Sequence, residues 1–386
     1  MTLNQIHLPY YRKLLSNSIP LLGAVFPQSI NSYKQLSKYL SLPNISPNIK
    51  VPGKIPLTSF TKSILNPGWS MLGRGGKQWR PLVGLITSNI FVNDLQNINK
   101  HSNLYKLLFI TDIIHNASLI LDDIEDKSEM RRGKKCVHLQ FGEDISINAG
   151  ISMLIFPINY LLSTISKYPN SINLKGKIAE HYFNELTSIH LGQGWDIQMK
   201  CTDLPTVQTY IDTVLCKTGV CPRLIVKMVK VYVEEFLNIK TGVLFNDILE
   251  LIDDLSVAFQ IWDDLMNLRP STVSKNKNKI GEDITEGKLT IMVLHSLHKN
   301  NKYRKRLMDI LMKNTKDQNE ITEAIDIMHK NGSIAYSERV KDLYLEKFEK
   351  KCKDIMFNGH NRYERKDFNY KVLNALIELK TSLIKV

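Results

Sequence analysis

The chain has 386 residues and a mass of 44.4 kDa, with 43% hydrophobic and 23% charged residues, enough apolar material for one large domain or two ordinary ones. This balance excludes a wholly disordered chain, a collagen-like fibre and a disulfide miniprotein. Lysine and arginine number 51 against 38 acids, a formal charge of +13, and the excess sits at the start, where ten basic residues (Arg12, Lys13, Lys34, Lys38, Lys50, Lys54, Lys62, Arg74, Lys77 and Arg80) precede the first acid, Asp94.

An acid-free start fits an organellar transit segment, a surface facing anionic lipid or nucleic acid, or the lysine-rich usage of the whole chain. It lacks the basic stretch and clean apolar run of a secretory signal. Prolines at 9, 20, 27, 43, 47, 52 and 56 predict only short helices over residues 1–60 and an extension outside the core. From about residue 68, apolar residues recur at three and four spacing: Leu104, Leu107, Leu108, Ile114 and Leu121, then Leu215, Ile225, Met228 and Val229, then Leu251, Leu255 and Phe259. Residues 145–166 are uncharged and long enough to span a bilayer. Asn148, Pro157, Asn159 and several serines make a buried central helix the better reading, apolar all round and so needing neighbours on every side. Asn/Lys-rich breaks fall at 167–175, 270–280 and 298–303, and a charged amphipathic tail follows to about 357. Strand alternation is almost absent, and no repeat of fixed period is seen. The expected fold is all-α, a many-helix bundle with a basic extension over 1–67 and a helical domain over 68–386, without a transmembrane segment. The five cysteines, Cys136, Cys201, Cys216, Cys221 and Cys352, are odd in number and scattered. They read as reduced thiols of an intracellular protein, without structural zinc.

Chemistry concentrates at two acidic helix ends. In Asp122-Asp123-Ile124-Glu125-Asp126, positions i and i+4 share a face, so Asp122 and Asp126 present two hard oxygen ligands to one point, which suits magnesium completed by water and phosphate. A solvated acidic helix end would look the same. Arg131-Arg132-Gly133 follows, and guanidiniums take phosphate oxygens two at a time. Far downstream, Asp263 with Asn267 repeats the i, i+4 geometry after another apolar helix, with an amide for one carboxylate. Two such ends suggest facing walls of one metal and diphosphate site.

The segment His115-Asn116-Ala117-Ser118-Leu119-Ile120-Leu121-Asp122-Asp123-Ile124-Glu125-Asp126 with Arg131-Arg132-Gly133 resembles the first aspartate-rich motif of the trans-isoprenyl diphosphate synthases, most closely the eukaryotic geranylgeranyl diphosphate synthases. Gly75-Gly76-Lys77-Gln78-Trp79-Arg80-Pro81, Gly192-Gln193-Gly194-Trp195-Asp196, Lys217-Thr218-Gly219, Phe259-Gln260-Ile261-Trp262-Asp263-Asp264 with Asn267, and Gly281-Glu282-Asp283-Ile284-Thr285-Glu286-Gly287-Lys288 are similar to five further elements of that family, in its order. The likeness covers roughly residues 70–350. Residues 1–67 and 355–386 match poorly, and Cys221-Pro222 is unlike the family and threatens to kink its helix.

The resemblance implies a helical bundle around a central cavity and an Mg²⁺-assisted condensation of isopentenyl diphosphate with an allylic diphosphate. Asp122, Asp126 and Asp263 would hold three magnesium ions with substrate bound, and with Lys217 they carry the ionisation. Arg131, Lys217, Thr218, Gln260, Lys279 and Lys288 fall on the allylic diphosphate. Lys77, Arg80, His115 and Arg132 fall on isopentenyl diphosphate. The departing diphosphate takes the proton, so no side-chain nucleophile is needed. Ala117 and Ser118, just below Asp122, leave the chain tunnel open, with Thr111, Ile114, Met153, Phe156 and Tyr160 as candidates for its floor. The expected product is geranylgeranyl diphosphate; the alternatives are a farnesyl or longer-chain synthase, or a non-catalytic subunit of a heteromeric one. A terpene cyclase is disfavoured because Glu250 follows Asn246-Asp247 where serine belongs. A nucleic-acid partner is not expected, since it leaves the acidic pairs unexplained. A cytoplasmic homodimer is expected, with an organelle as the alternative compartment.

Overall fold

In the computed structural model the described residues are 8–40, 57–166, 168, 170–199, 204–242, 244–269, 280–299, 302–358 and 366–384. The longer helices are α1 (Leu8–Val25), α2 (Tyr33–Leu40), α3 (Asn66–Leu72), α4 (Trp79–Asn89), α5 (Ser102–Glu125), α6 (Glu143–Ile165), α7 (Ser171–Gln198), α8 (Val207–Lys217), α9 (Val220–Val231), α10 (Leu244–Asn267), α11 (Ile291–His298), α12 (Arg304–Met312), α13 (Gln318–Lys330), α14 (Ser333–Asn358) and α15 (Lys366–Leu383). Among the described residues the only strands are Met130–Arg131 and Lys134–Lys135, which pair as one antiparallel hairpin. The fold is all-α, as the apolar spacing predicts. Described residues of Met1–Tyr182, Leu224–Gly242 and Asp367–Leu379 form one compact unit, and those of Phe183–Arg223, Val243–Lys366 and Lys380–Val386 a second.

In the first unit α5 is buried along most of its length, against α1, α4 and α6. At Gly150 of α6 an added Cβ would lie 2.9 Å from the Leu121 side chain of α5, so the missing side chain allows the two helices their close approach. The expectation that residues 1–60 lie outside the core is corrected for the described residues 8–40; residues 1–7 and 41–56 lie outside the described residues. α1 runs 18 residues with Pro20 inside it, and buries Tyr11, Leu14, Leu15, Leu22 and Val25 at helical spacing. Pro20 lies on the exposed side, where the carbonyl it leaves without an amide partner can bond water. Asn89 Nδ2 donates to the Tyr11 hydroxyl at 2.9 Å, and the Leu8 N–H donates to Glu378 Oε2 at 2.9 Å. α15, in the poorly matching tail, buries Val372, Leu373, Leu376 and Leu379 in this unit.

α5 and α6 are both long and apolar enough to cross a membrane, with 72% and 50% of their apolar windows buried in the protein. The second figure corrects the reading of 145–166 as buried on every side. Ile147, Ile151 and Ile155, one turn apart, are 41%, 44% and 51% exposed and form an apolar stripe on the surface of α6. Met153, Phe156 and Tyr160 face the N-terminal segment: Phe156 stacks on Phe60 with ring centres 6.1 Å apart, Tyr160 lies 5.5 Å from Tyr39, and Met153 Sδ is 3.0 Å from the Cβ position of Gly68.

In the second unit α10 is the central helix, packed along α14 and against α8, with α11, α12 and α13 closing a shared apolar core around Ile261, Leu265, Ile291 and Leu294. α8 stops at Lys217 and α9 begins at Val220, so Thr218-Gly219 forms the break. Pro222 falls in the first turn of α9, where its missing N–H has no helical partner to lose. The feared kink is therefore a helix start.

Candidate active site

The first acidic end belongs to the first unit. The Asp126 N–H donates to the Asp122 carbonyl at 2.9 Å, so the two carboxylates stand one turn apart on one face. A helix C-terminus disfavours negative charge, and Asp123 between them is buried. Burial pushes the Asp123 carboxyl above its ordinary range, and the Arg131 guanidinium pulls it back. Arg131 Nε donates to Asp123 Oδ1 at 2.7 Å, and its Nη2 lies 3.7 Å from Asp122 Oδ2. What delivers Arg131 is the hairpin turn: Arg132 and Gly133 have φ of 52° and 74°, the positive pair that a two-residue turn of this hand requires. The register sets Met130 opposite Lys135 and Arg131 opposite Lys134.

Arg132 points away from that ion pair, donating through Nη1 to Asn116 Oδ1 at 3.0 Å and to the Gly75 carbonyl. The Gly75-Gly76 turn (φ 71° and 148°) leads through exposed Lys77 into α4. Arg80, in the first turn of α4, lies 4.9 Å from the Trp79 ring centre. Burial, then the fields of Arg80, Arg132 and Arg131, hold the His115 pKa well below the usual imidazole value. His115 is therefore a neutral donor or acceptor, not a fourth cation. Two residues of this cluster have no counterpart in the sequence reading. Arg74 donates to the Arg131 carbonyl at 3.1 Å and to the Ser70 carbonyl at 2.8 Å. Asp112 is buried, its carboxyl raised by burial and lowered by Arg80 and Arg132. Its place three residues before His115, one turn away, was the available signal.

Ser118 is partly buried one turn below Asp122, its hydroxyl donating to the His115 carbonyl at 2.9 Å. Ala117 is fully buried. Five residues from Asp122 places it well round the helix from the carboxylate face, at the α6 contact, where its carbonyl is 3.6 Å from the Cβ position of Gly150. Phe156 and Tyr160 contact Phe60 and Tyr39, and Met153 contacts Gly68.

The second acidic end belongs to the second unit and is neutralised differently. Thr218 Oγ1 donates to Gln260 Oε1 at 2.6 Å, Gln260 Nε2 donates to Asp264 Oδ1 at 2.8 Å, and the Tyr210 hydroxyl donates to Asp264 Oδ2 at 2.7 Å. Burial foremost, with Asp283 and Asp263 adding repulsion, raises the Asp264 pKa to about 8 against these two donors. Asp263, beside it, is partly exposed. Asn267 is buried: its Oδ1 accepts the Asp283 N–H at 3.2 Å and its backbone carbonyl accepts the Gly281 N–H at 2.9 Å, while its Nδ2 has no partner among the described residues. It anchors the returning turn through its side-chain and backbone oxygens. Lys217 forms an ion pair with Asp196, and Lys288, 25% exposed, pairs with Glu286. At Gly192 an added Cβ would lie 2.7 Å from Cys216 Cβ, which accounts for that glycine by helix packing. Gly194 has open space. Lys279 lies outside the described residues. Tyr210 and Asp283 complete this cluster unforeseen, although Tyr210 stands two turns before Lys217 and could have been read from that spacing.

The donors suit a hard cation. Asp122 with Asp126, and separately Asp263, offer carboxylate oxygens that are at least partly exposed, and magnesium binds through one or two carboxylates with water and phosphate oxygens for the rest. Among the described residues no three His, Cys, Asp or Glu side chains form a cage of their own.

A sequence model described as polyprenyl synthetase matches residues 61–328. A geranylgeranyl pyrophosphate synthase of Dictyostelium discoideum is 31% identical over 312 residues, covering 80% of this chain and 93% of the relative. One of Aspergillus flavus is 33% identical over 228 residues, 59% of this chain and 61% of the relative. Among solved structures, the geranylgeranyl pyrophosphate synthetase of Pyrococcus horikoshii Ot3 aligns with a TM-score of 0.69 at 19% identity, covering 98% of this chain and 99% of its own. That of Geoglobus acetivorans aligns with a TM-score of 0.63 at 22% identity, covering 92% and 97%.

Proposed function

The chain belongs to the polyprenyl synthetase family, and we propose that it condenses isopentenyl diphosphate with an allylic diphosphate, with geranylgeranyl diphosphate as the main product. What carries the reading is that each unit sets aspartates at a helix end beside a cation held on a neighbouring carboxylate: Arg131 on Asp123, and Lys217 on Asp196.

Family membership implies magnesium-dependent catalysis; three ions, held by Asp122, Asp126 and Asp263, are proposed. When bound, the metal neutralises diphosphate charge. Arg131, Lys217 and Lys288 hold the allylic diphosphate, with Thr218 and Gln260 as polar neighbours beside the developing cation. The carbon–oxygen bond breaks with its electron pair leaving on the diphosphate. Lys77, Arg80 and Arg132 hold isopentenyl diphosphate, and neutral His115 adds one hydrogen bond. The isopentenyl double bond attacks the allylic carbon, and loss of a neighbouring proton to the departed diphosphate restores a double bond. Ser118, small and on the Asp122 face, lets the chain grow past fifteen carbons. The exposed stripe of Ile147, Ile151 and Ile155 supports a homodimer that covers it. A cytoplasmic place is proposed, with an organelle as the alternative.

The test is incubation of the purified protein with isopentenyl diphosphate and each short allylic diphosphate, with and without magnesium, followed by chromatography. Twenty-carbon product that depends on magnesium is expected. Absence of condensation with every starter would overturn the proposal.

A further inference from the structure

The Lys217-Thr218-Gly219 turn is backed by a partly buried ion cluster. Arg223, in α9, places its fork on three elements at once. Nη1 donates to Asp253 Oδ1 of α10 at 2.8 Å and to the Leu215 carbonyl of α8 at 2.8 Å, while Nη2 and Nε reach the Glu185 carboxylate of α7 at 3.1 and 3.4 Å. The Leu215 carbonyl is in the last turn of its helix, where i+4 donors run out. The N–H groups of Thr218 and Gly219 both go to the Val214 carbonyl, at 2.8 and 3.1 Å. Gly219 makes the reach to Leu215 possible: a Cβ there would lie 2.5 Å from Arg223 Nη1 and 2.8 Å from the Leu215 carbonyl oxygen.

We propose that Arg223 is a positioning residue for the allylic diphosphate, acting through the Leu215 carbonyl to fix where Lys217 and Thr218 stand, with Glu185 and Asp253 holding its fork in aim. The proposal rests on the reading of Lys217 and Thr218 as contacts to that diphosphate. Stability alone is a weak reason for the cluster. Glu185 is 4% exposed, with Arg223 and Asp253 partly buried beside it, and ion groups withdrawn from water are often replaced by apolar side chains without loss. An apolar residue cannot tie α7, α8 and α10 to one turn. A forked, always charged guanidinium can. A misplaced Lys217 would weaken the hold on one substrate diphosphate and leave the isopentenyl contacts, which lie on other residues, as they were.

The test uses the full chain and initial rates with each diphosphate varied in turn. Arg223→Met and Arg223→Lys should raise the KM for the allylic substrate, about fivefold or more in Arg223→Met and less in Arg223→Lys, with the isopentenyl KM within about twofold of wild type. A purely structural defect lowers the active fraction, so it depresses the maximal rate and leaves both KM values alone. Should Arg223→Met fail to fold, Asp253→Asn keeps an acceptor oxygen and removes only charge; it should still raise the allylic KM measurably. Lys217→Ala is measured alongside. If it raises the allylic KM and the folded Arg223 and Asp253 variants do not, the positioning role is overturned by itself. If Lys217→Ala leaves the allylic KM unchanged, the site reading beneath it falls, and the proposal with it.

Discussion

The two acidic helix ends solve one electrostatic problem by opposite means. At the end of α5 a buried aspartate, Asp123, faces a full positive charge, Arg131, delivered by a tight hairpin. At the end of α10 the corresponding buried aspartate, Asp264, meets neutral donors among the described residues, Tyr210 and Gln260, and its carboxyl is raised to about 8. Opposite charge stabilises the ionised form strongly but leaves an uncompensated ion when removed. Dipoles stabilise it less, and their loss costs less. Both carboxyls are raised by burial, but at the first end a guanidinium opposes the rise and at the second, among the described residues, only dipoles do.

The comparison yields expectations of decreasing size. Asp122→Ala and Asp263→Ala, on the two ends, should each lower turnover at least about a hundredfold, because both carry proposed metal contacts. Condensation rates check this, and a variant keeping more than about a tenth of the rate shows that its end does not serve the metal. In folding stability the ends should part company. Arg131→Met should cost about 3 kcal/mol by stranding Asp123, whereas Tyr210→Phe should cost about 1 kcal/mol; denaturant titration of the metal-free protein compares them, and equal losses would erase the distinction.

The pH response sharpens it further. A carboxyl with a raised folded pKa binds its proton more tightly folded than unfolded, so it destabilises the metal-free protein progressively as pH rises from about 4 toward about 8. Thermal unfolding should show Asp264→Asn gaining on wild type over that window, and parallel curves would refute the charge assignment at the second end. The smallest effect in energy is in product: Ser118→Phe, one turn below the first end, should shorten the chain toward farnesyl diphosphate. Unchanged product from a folded, active variant would remove Ser118 from the tunnel.

Local geometry was legible in the sequence, and distant partners were not. The i, i+4 placement of Asp122 and Asp126 follows from helix pitch alone, and the hairpin residues Arg132-Gly133 stand next to one another in the chain. Arg223, Glu185 and Asp253 come from three helices, and no spacing rule joins them. The contact of Asn267 with the segment at Gly281–Asp283 was illegible for a related reason: its periodicity relates it to Asp263, and no spacing rule relates it to a turn that returns from downstream. In α1 two signals competed. The proline count argued against a long helix, and the three- and four-residue recurrence of Tyr11, Leu14, Leu15, Leu22 and Val25 argued for one. Burial of that face prevailed, since a single exposed proline sacrifices little.

The hairpin after α5 makes distance along the chain a part of the chemistry. Side chains in a paired strand alternate between faces, so one extra residue between Asp126 and Arg131 would turn Arg131 away from Asp123 and bring a neighbour round in its place. Arg132, held at a φ of 52°, closes the turn in a conformation that few side chains accept, so the slack cannot be taken up there. The connector therefore works as a ruler. In descendants of this sequence its letters can drift more freely than its length, and an insertion or deletion of one residue there would be felt as sharply as the loss of a charge.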